Sequence, residues 1–148
     1  MTIEELLSEN RRIWQRRAGA SAAEIARLIA ACPYQLPPVL IELLQVSNGG
    51  EGELGLEPRL LVLDSVDDII ASLNDAFLRD QFSGIFFFGG NGGIERIALD
   101  CRQVQEPFPV VMIDPIAGPD SAEQIAPDAA AFVMSIGLKY TDGELDDA

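Results

Sequence analysis

The spacing of apolar residues predicts three helices in the first part of the chain. An apolar stripe with helical spacing predicts an amphipathic helix over residues 2–17, and its members are Ile3, Leu6, Leu7, Ile13 and Trp14. Ser21 with Glu24 three residues later is a capping-box pattern that begins a second helix, and Pro38 suits the first turn of a third. The glycine-rich segment SNGGEGELG, residues 47–55, then ends that third helix and predicts a loop.

All of the predicted strands lie in the rest of the chain. The predicted elements are a buried strand, a helix that Asp64 or Ser65 caps, two strands around a glycine turn, a further strand, a loop and a final helix. They cover residues 59–65, 66–77, 85–88, 94–99, 109–113, 114–121 and 129–136, in that order. Because helices come first and strands later, the sequence predicts an α+β fold in a single domain rather than alternating βαβ units.

The length of the chain, 148 residues, fits one domain. We divide it into an N-terminal helix packed on the domain (residues 1–20), the α+β domain itself (21–138) and an acidic tail (139–148). No apolar run reaches the roughly 18 residues that a membrane span needs, and the segment MTIEELLSEN lacks the pattern of a secretory leader. With only two cysteines, Cys32 and Cys101, a disulfide scaffold is not expected, and we predict a cytoplasmic location.

The charge of the chain is strongly acidic and restricts its partners. Asp and Glu number 24 against 10 Lys and Arg, which gives a net charge of −14. Such a surface repels nucleic acids and anionic membranes, and it attracts a basic protein and speeds the encounter with it. The alternative is that the acidity only keeps the protein in solution, and the charge alone leaves both interpretations open.

The segment FFFGGNGGIERIALD, residues 86–100, raises the question of nucleotide binding. A dinucleotide fingerprint needs G-x-G-x-x-G before a helix, but counting from Gly90 puts Glu95 at the third glycine position, and a strand pattern follows. A Walker loop needs a lysine after its last glycine, and Lys139 is the only lysine in the chain. We therefore predict a tight hairpin whose glycines supply positive φ angles, so that Gly92→Val lowers the thermal stability.

No group of residues predicts catalysis. The chain has no histidine, which removes the commonest general base, the usual triads and most zinc sites. The two cysteines lack an imidazole to activate them and are interpreted as small core residues. Two acidic pairs, Glu51 with Glu53 and Asp67 with Asp68, are better explained by a glycine loop and by the first turn of a helix than by a metal ion. We predict that the protein is not an enzyme and has no catalytic residue, metal or cofactor.

The order of these segments resembles the SUKH superfamily, the fungal cell-wall-assembly-regulator (SMI/KNR-like) domain. That family typically has Leu-Pro before a helix that ends in Asn-Gly-Gly, and an aromatic–Gly–x–Gly-Gly hairpin closed by an aspartate. A Pro-Val-Val strand and a last helix with phenylalanine then follow. The matching positions lie within residues 20–137, and they are Leu36, Pro37, Asn48, Gly49, Gly50, Phe88, Gly89, Gly92, Gly93, Asp100, Pro109, Val110 and Phe132.

The resemblance implies an α+β fold with a mixed or antiparallel sheet, flanked by N-terminal helices and a C-terminal helix, and it implies no catalytic site. Most bacterial members resemble immunity proteins that neutralise a cognate toxin, whereas fungal members resemble regulators or scaffolds. Our first hypothesis is therefore a non-enzymatic immunity protein that occludes the active surface of a basic toxin, with nucleases favoured. The alternative is a cytosolic regulator or scaffold that docks an acidic host protein on the arginines of the first helix. Those arginines are Arg11, Arg12, Arg16 and Arg17.

The candidate partner-binding residues are acids in predicted loops and at one helix start. The loop set is Glu51, Glu53, Glu57, Asp114 and Asp120, and the helix-start set is Asp64, Asp67 and Asp68. The family-motif residues predicted to be structural are Pro37, Asn48, Gly49, Gly50, Gly89, Gly92, Gly93 and Asp100, and we expect Asp100 to bond backbone amides near the hairpin turn. We expect a monomer or weak homodimer that binds neither nucleic acid nor membrane. For each acid alone, a solvated side chain is the competing interpretation.

Overall fold

Seven strands build one antiparallel sheet within residues 1–103 and 106–141, the part of the chain that the computed structural model describes. The strands are β1 (Trp14–Arg16), β2 (Gly50–Glu53), β3 (Leu60–Leu63), β4 (Ile85–Gly90), β5 (Arg96–Asp100), β6 (Val110–Ile113) and β7 (Glu123–Ala126), and each pairs with the next. The helices in the same residues are α1 (Ile3–Leu7), α2 (Ala22–Ala31), α3 (Pro38–Val46), α4 (Val66–Asn74), α5 (Ala76–Gln81) and α6 (Ala129–Met134), with a 3-10 turn at Pro119–Ser121. The predicted α+β fold is confirmed. The resemblance implied a mixed or an antiparallel sheet, and the sheet is antiparallel throughout the described residues.

The first helices begin where the sequence places capping side chains. Ser21 and Glu24 form the predicted capping box of α2, in which each side chain accepts a hydrogen bond from the other residue's amide, at 3.1 and 2.9 Å. Thr2 and Glu5 form a second capping box that begins α1, and Pro38 is the first residue of α3, as predicted. Both boxes satisfy amides that the first turn of a helix otherwise leaves unbonded.

The sheet has one face covered by helices and another that is partly open. On the covered face, Phe88 of β4 packs edge-on against Phe132 of α6, with ring centroids 5.5 Å apart. Because side chains alternate along a strand, Phe87 points the other way, and Phe82 packs on it there after α5. On the Phe87 side of the sheet, the part formed by β1, β2 and β3 carries exposed or half-buried side chains. We call this part the open face, and it consists of Gln15, Glu51, Glu53, Leu60 and Val62.

The predicted helix over residues 2–17 is wrong beyond its first turns. α1 ends at Leu7, and residues 14–16 form the edge strand β1. Arg12 turns inward and donates hydrogen bonds to the carbonyl groups of Met134, the last residue of α6, and of Ile136. The indole ring of Trp14 lies over the glycines of β2. The apolar spacing of residues 2–17 gives only a local preference for helix. The contacts of Arg12 and Trp14 with distant parts of the chain outweigh that preference.

The glycine-rich segment after α3 is a strand and not the predicted loop. Residues 50–53 pair with both β1 and β3, so the two acidic residues of the segment lie in a strand. A Cβ atom at Gly52 would lie 2.2 Å from the carbonyl oxygen of Ile13, and one at Gly50 would lie 2.7 Å from the ring of Trp14. Glycine is needed here because the backbone and indole of β1 approach too closely for a side chain.

The other elements lie near their predicted positions, but one helix is divided, one ends earlier and one strand was not predicted. The predicted helix over residues 66–77 is divided at Asp75, whose side chain accepts a hydrogen bond from the Leu78 amide at 2.9 Å and so begins α5. The last helix ends at Met134, and β7 was not predicted, since its sequence EQIA has no alternating apolar pattern. Residues 142–148 of the predicted acidic tail lie outside the described residues.

The predicted glycine hairpin is confirmed, but its glycines have different roles. β4 and β5 pair on either side of the turn, and Gly92 has a φ of 81°. Gly89 lies within β4, where a Cβ atom would come within 2.9 Å of the carbonyl oxygen of Val62 on β3. Gly93 has neither a positive φ nor a close neighbour, since a Cβ atom there would be 3.4 Å from the nearest atom. Of these three glycines, only Gly92 fits the predicted explanation.

We expect Gly92→Val to lower the free energy of unfolding by about 1–2 kcal/mol, because a side chain at positive φ crowds the following carbonyl group. For a domain of this size that loss corresponds to a melting temperature about 3–6 °C lower, which calorimetry can measure. Gly93→Val is the matched control, one residue further along the same turn, and we expect a much smaller decrease. Equal decreases in the two variants would contradict the assignment of the cost to φ.

Candidate protein-binding surface

A groove crosses the open face between β1 and the β4–β5 hairpin. It encloses about 490 Å³ and is lined by residues of β1, β2 and β3, with Asn91 and Gly92 contributed by the hairpin. The lining residues that lie on the open face are Ile13, which precedes β1, and the strand residues Gln15, Glu51, Glu53, Leu60 and Val62. We call this set the open-face groove. It is a concave surface with both charged and apolar side chains.

Two of the acidic candidates, Glu51 and Glu53, lie side by side in this groove. Antiparallel pairing places Glu51 between Gln15 of β1 and Val62 of β3, and it places Glu53 opposite Leu60. Residues two apart on a strand point to the same side with their Cα atoms roughly 6–7 Å apart. These two acids were predicted to lie in a loop. Their position in β2 instead fixes the spacing of the carboxylates, because strand pairing on both sides holds the backbone.

Exposed apolar side chains lie beside these carboxylates. Ile13 is 54% exposed and Leu60 is 49% exposed, and both line the groove. A single exposed apolar residue is ordinary, but apolar side chains surrounded by polar ones in one concave surface are typical of protein-binding sites. Sequence reasoning missed this contribution, because the helical stripe assigned Ile13 to a buried face.

The carboxylates of Glu51 and Glu53 are not neutralised by their own chain. Among the described residues, neither side chain has a hydrogen bond or an ion pair, and the lining of the groove includes no arginine or lysine. Arg17 continues β1 nearby, with its stem against Gly49. The groove is therefore a region of negative potential that a cation from another molecule can compensate.

Three other acidic candidates are engaged in ion pairs away from the groove. The pairs are Glu57 with Arg59 at 3.0 Å, Asp64 with Arg96 at 3.0 Å and Asp67 with Arg27 at 2.9 Å. Burial raises the pKa of Asp64, although the charge of Arg96 acts in the opposite direction. The Asp64 side chain is only 18% exposed, so it is held within the fold rather than offered to a partner. The neighbouring Ser65, not Asp64, caps α4.

The last three acidic candidates, Asp68, Asp114 and Asp120, also lie outside the groove. Asp114 accepts hydrogen bonds from two amides of its own loop at 2.9 and 3.4 Å, so it shapes the chain after β6. Asp68 and Asp120 are exposed, the latter within the 3-10 turn. The structure thus places Glu51 and Glu53 together in the groove and keeps Asp64, Asp67 and Asp68 together at the start of α4. The other candidates, Glu57, Asp114 and Asp120, lie elsewhere.

Ser47 and Asn48 connect the strands of the groove to the helices behind them. The side-chain oxygen of Asn48 accepts a hydrogen bond from the Val66 amide at the start of α4, at 2.7 Å, and its nitrogen donates to Glu24 of α2 at 3.3 Å. The Ser47 hydroxyl accepts a hydrogen bond from the Trp14 indole at 3.3 Å. The two glycines that follow have φ angles of 98° and 126° and lead the chain into β2. The acidic strand therefore has a fixed place relative to the core.

One family model matches most of the fold described above. It is the model of the SMI1 / KNR4 family (SUKH-1), and it matches residues 19–135. The chain belongs to the SUKH-1 family. The resemblance predicted from the Asn-Gly-Gly turn and the glycine hairpin is therefore confirmed. A search of curated proteins gave no match.

Membership of the SUKH-1 family gives the open-face groove a functional context. The family is generally non-enzymatic and typically binds partner proteins, and it supports an immunity-type role in general. The family match begins at residue 19, so Ile13 and Gln15, which line the groove beside β2, precede the matched region. One wall of the groove is therefore built by residues outside the part of the chain that the family model covers.

Arg12 of this SUKH-1 chain is buried against the end of α6, a role that was not predicted. Its Nη1 atom donates to the carbonyl oxygens of Met134 at 2.8 Å and Ile136 at 2.7 Å, and its Nε atom donates to Glu9 at 2.7 Å. The side chain is 1% exposed. These bonds satisfy carbonyl groups that the end of a helix leaves without partners.

The arginine surface predicted on the first helix does not form. The helix ends at Leu7, before the first of those arginines. Arg12 is buried, and Arg16 is bonded to Glu4 of α1. Arg11 is exposed and contacts Glu9 at 3.3 Å. Arg17 is exposed. The four arginines therefore do not form the row along one helix face that the regulator hypothesis assumed.

The prediction that Asp100 bonds backbone amides near the hairpin turn is wrong. Asp100 lies at the opposite end of β5, where its carboxylate accepts hydrogen bonds from the Arg102 amide at 3.1 Å and from the Arg102 guanidinium at 2.9 and 2.8 Å. The side-chain bonds to Arg102 lower the pKa of Asp100 more than burial raises it. This carboxylate fixes the chain where it leaves β5.

We expect Asp100→Asn to lower the free energy of unfolding at pH 7 by up to about 1 kcal/mol, because the ion pair is partly exposed. Since the folded state lowers the pKa of Asp100, the stabilisation exists above the ordinary aspartate pKa of about 3.9. It is lost as the pH falls through the lower folded-state value. Urea unfolding at pH 7 and pH 3 measures the change. The difference from wild type should shrink at low pH, and a constant difference would contradict the assignment.

The two cysteines of the SUKH-1 chain have an environment that suppresses thiol chemistry. Burial raises the pKa of Cys32, and burial together with nearby negative groups raises the pKa of Cys101 to about 12. The reactive form of cysteine is the thiolate, so neither is a good nucleophile at neutral pH. Among the described residues, moreover, no group of three or more His, Cys, Asp or Glu side chains could hold a metal ion.

A larger cleft of about 560 Å³ lies between α2, α4, α5 and β4. Its lining includes Tyr34, Phe82 and Phe87, and its one charged side chain, Arg79, lies 4.0 Å from Asp80. None of the acidic candidates lies in it. Volume alone does not identify a binding site, and the smaller groove combines uncompensated charge with exposed apolar side chains. We therefore take the open-face groove as the candidate binding surface.

Within residues 1–103 and 106–141, each helix is too short or too polar to cross a bilayer.

Proposed function

We propose that this SUKH-1 chain is an immunity protein that binds a cognate toxin and occludes its active surface, with a nuclease as the favoured toxin class. The observation that carries the proposal is the open-face groove, which holds exposed Glu51 and half-buried Glu53. Neither carboxylate forms an ion pair within the described residues. Family membership supports it, since family members typically bind partner proteins. Binding in this way requires no chemistry from the chain itself.

The physical argument is electrostatic complementarity between the two proteins. A nuclease must bind a polyanion, so its active surface is basic. A protein with a net charge of −14 attracts such a surface over a distance and speeds the encounter. Carboxylates held at fixed positions can then occupy the places that phosphate groups take in the substrate. We further propose that the protein acts in the cytoplasm, where a nuclease toxin meets its target.

The proposal has a direct test in cells. The genes adjacent to that of this chain are searched for a toxin gene, and the toxin found there is expressed alone and together with this chain while growth and complex formation are scored. We expect co-expression to restore growth and the two proteins to co-purify in equal amounts. A toxin that kills cells to the same extent with and without this chain would contradict the proposal. A neighbouring toxin without nuclease activity would remove only the nuclease assignment.

A further inference from the structure

We infer that the open-face groove receives an arginine side chain that protrudes from the basic partner, with Glu51 and Glu53 binding its guanidinium group and Ile13 and Leu60 covering its stem. This inference rests on the proposed function, because it assumes a protein partner, and it adds where that partner docks and which chemical group is recognised.

The spacing of the acceptors fits a guanidinium group. The Cα atoms of Glu51 and Glu53 are roughly 6–7 Å apart on one side of β2, and their flexible side chains can converge on a group between them. Gln15 lies opposite Glu51 on β1 and adds an amide oxygen as a further acceptor. A guanidinium group presents five N–H donors in a planar fork, so it can bond to both carboxylates at once. Such charge-assisted bonds are about twice as strong as neutral ones.

The apolar side chains of the groove favour arginine over lysine. Ile13 and Leu60 are both about half exposed. Val62 of β3 also lines the groove, and it lies opposite Glu51 of β2. Arginine and lysine both lay their methylene stems on apolar surface. A lysine ammonium group, however, is compact and strongly hydrated, whereas a guanidinium group is weakly hydrated and loses less when it leaves water. A groove with apolar walls and two carboxylates therefore selects arginine.

The arginines of the chain itself do not fill this position. Arg12 is buried against the end of α6, Arg16 is bonded to Glu4, and Arg96 is bonded to Asp64. Within the described residues, Arg17 is not in an ion pair with Glu51 or Glu53. The charge of the groove is therefore available to an external group.

A basic protein fits the groove better than a second copy of this chain. Two copies would each bring a net charge of −14, and like charges placed against each other across an interface cost several kcal/mol. Most of the chain's arginines are also already bonded to their own carboxylates. A partner of opposite charge instead gains from both the long-range attraction and the local bonds, and so we commit to a basic protein as the occupant.

The test compares two variants with the same change of charge. The probe is the toxin identified by the co-expression experiment, inactivated by substitution of a catalytic residue and purified. The groove variant is Glu51→Lys with Glu53→Lys. The control is Glu106→Lys with Glu123→Lys, which makes the same change of charge at two exposed positions that are not binding candidates. One precedes β6 and the other begins β7, the strand at the opposite edge of the sheet from β1. Circular dichroism and melting temperature establish that both variants fold.

We expect the groove variant to weaken binding at least about tenfold more than the control and to flatten the dependence of the association rate on salt. On the partner, one arginine should exist whose replacement by lysine weakens binding to the wild-type chain but not to the groove variant, as a double-mutant cycle would show. Equal binding by the two variants, with toxicity still neutralised by the wild type, would overturn the groove while leaving the proposed function intact. Absence of both neutralisation and binding with the wild type would instead overturn the proposed function, and the groove inference with it.

Discussion

Replacement of Arg12 by methionine is expected to lower the free energy of unfolding by about 2–4 kcal/mol, because two carbonyl oxygens at the end of α6 lose their hydrogen-bond donor. Methionine retains apolar bulk but donates no hydrogen bond. It leaves the carbonyl oxygens of Met134 and Ile136 and the carboxylate of Glu9 without the donors that they have at 2.7–2.8 Å. Each buried polar group left unbonded costs about 1–3 kcal/mol. The melting temperature should therefore fall by roughly 10 °C.

The neighbouring Arg11 provides the matched control for this experiment. Arg11 contacts the same Glu9 carboxylate, but its side chain is 64% exposed, so Arg11→Met should change the stability by less than about 1 kcal/mol. Arg12→Lys keeps the charge but has no planar fork, and we expect a loss between those of the other two variants. If Arg11→Met and Arg12→Met proved equally mild in chemical unfolding, Arg12 would not hold the end of α6.

The effect of Arg12 should extend to the binding surface. The Ile13 amide donates to the Gly137 carbonyl at 2.8 Å, and the Gly137 amide donates to the Glu53 carbonyl at 2.7 Å. The residues that follow α6 thus link the start of β1 to the end of β2. Arg12 fixes these residues in place, so it positions the β1 and β2 strands of the open-face groove without lining it.

Local patterns in the sequence were sufficient for much of the fold. The capping box at Ser21 and the Pro38 helix start depend on residues a few positions apart, and both lie where they were predicted. The same is true of the turn at Gly92, because a positive φ is a property of one residue. The order of such local features was also enough to indicate the family, which the match over residues 19–135 confirms.

The parts that could not be predicted depend on contacts between distant residues. The helical stripe of residues 2–17 gave no indication that Arg12 meets carbonyl groups more than 120 positions away in the chain. The glycines of β2 gave the pattern of a loop because their role is to accommodate the indole of Trp14. As a result, the sequence identified Glu51 and Glu53 as candidates but placed them in the wrong kind of element. It did not place Ile13 beside them.

Replacement of Gly52 by alanine is expected to lower the free energy of unfolding by about 3 kcal/mol, at the upper end of what overpacking usually costs. The new methyl group would lie 2.2 Å from the carbonyl oxygen of Ile13 and 2.9 Å from the ring of Trp14. One of the two must move, and the first is backbone that accepts the Glu53 amide at 3.0 Å. The strand β1 would therefore separate from β2.

Trp14 is the only tryptophan in the chain, so its fluorescence reports on this contact alone. Gly52→Ala should shift its emission to longer wavelength, as the indole becomes more exposed, and should shift urea unfolding to lower concentration. Gly93→Ala makes the same chemical change where the nearest atom would be 3.4 Å away and φ is not positive, and it should leave both measurements nearly unchanged. Because the groove lies across β1 and β2, Gly52→Ala should also weaken partner binding although it alters no charge. Unchanged emission together with wild-type stability in Gly52→Ala would show that β1 does not pack on β2 through these glycines.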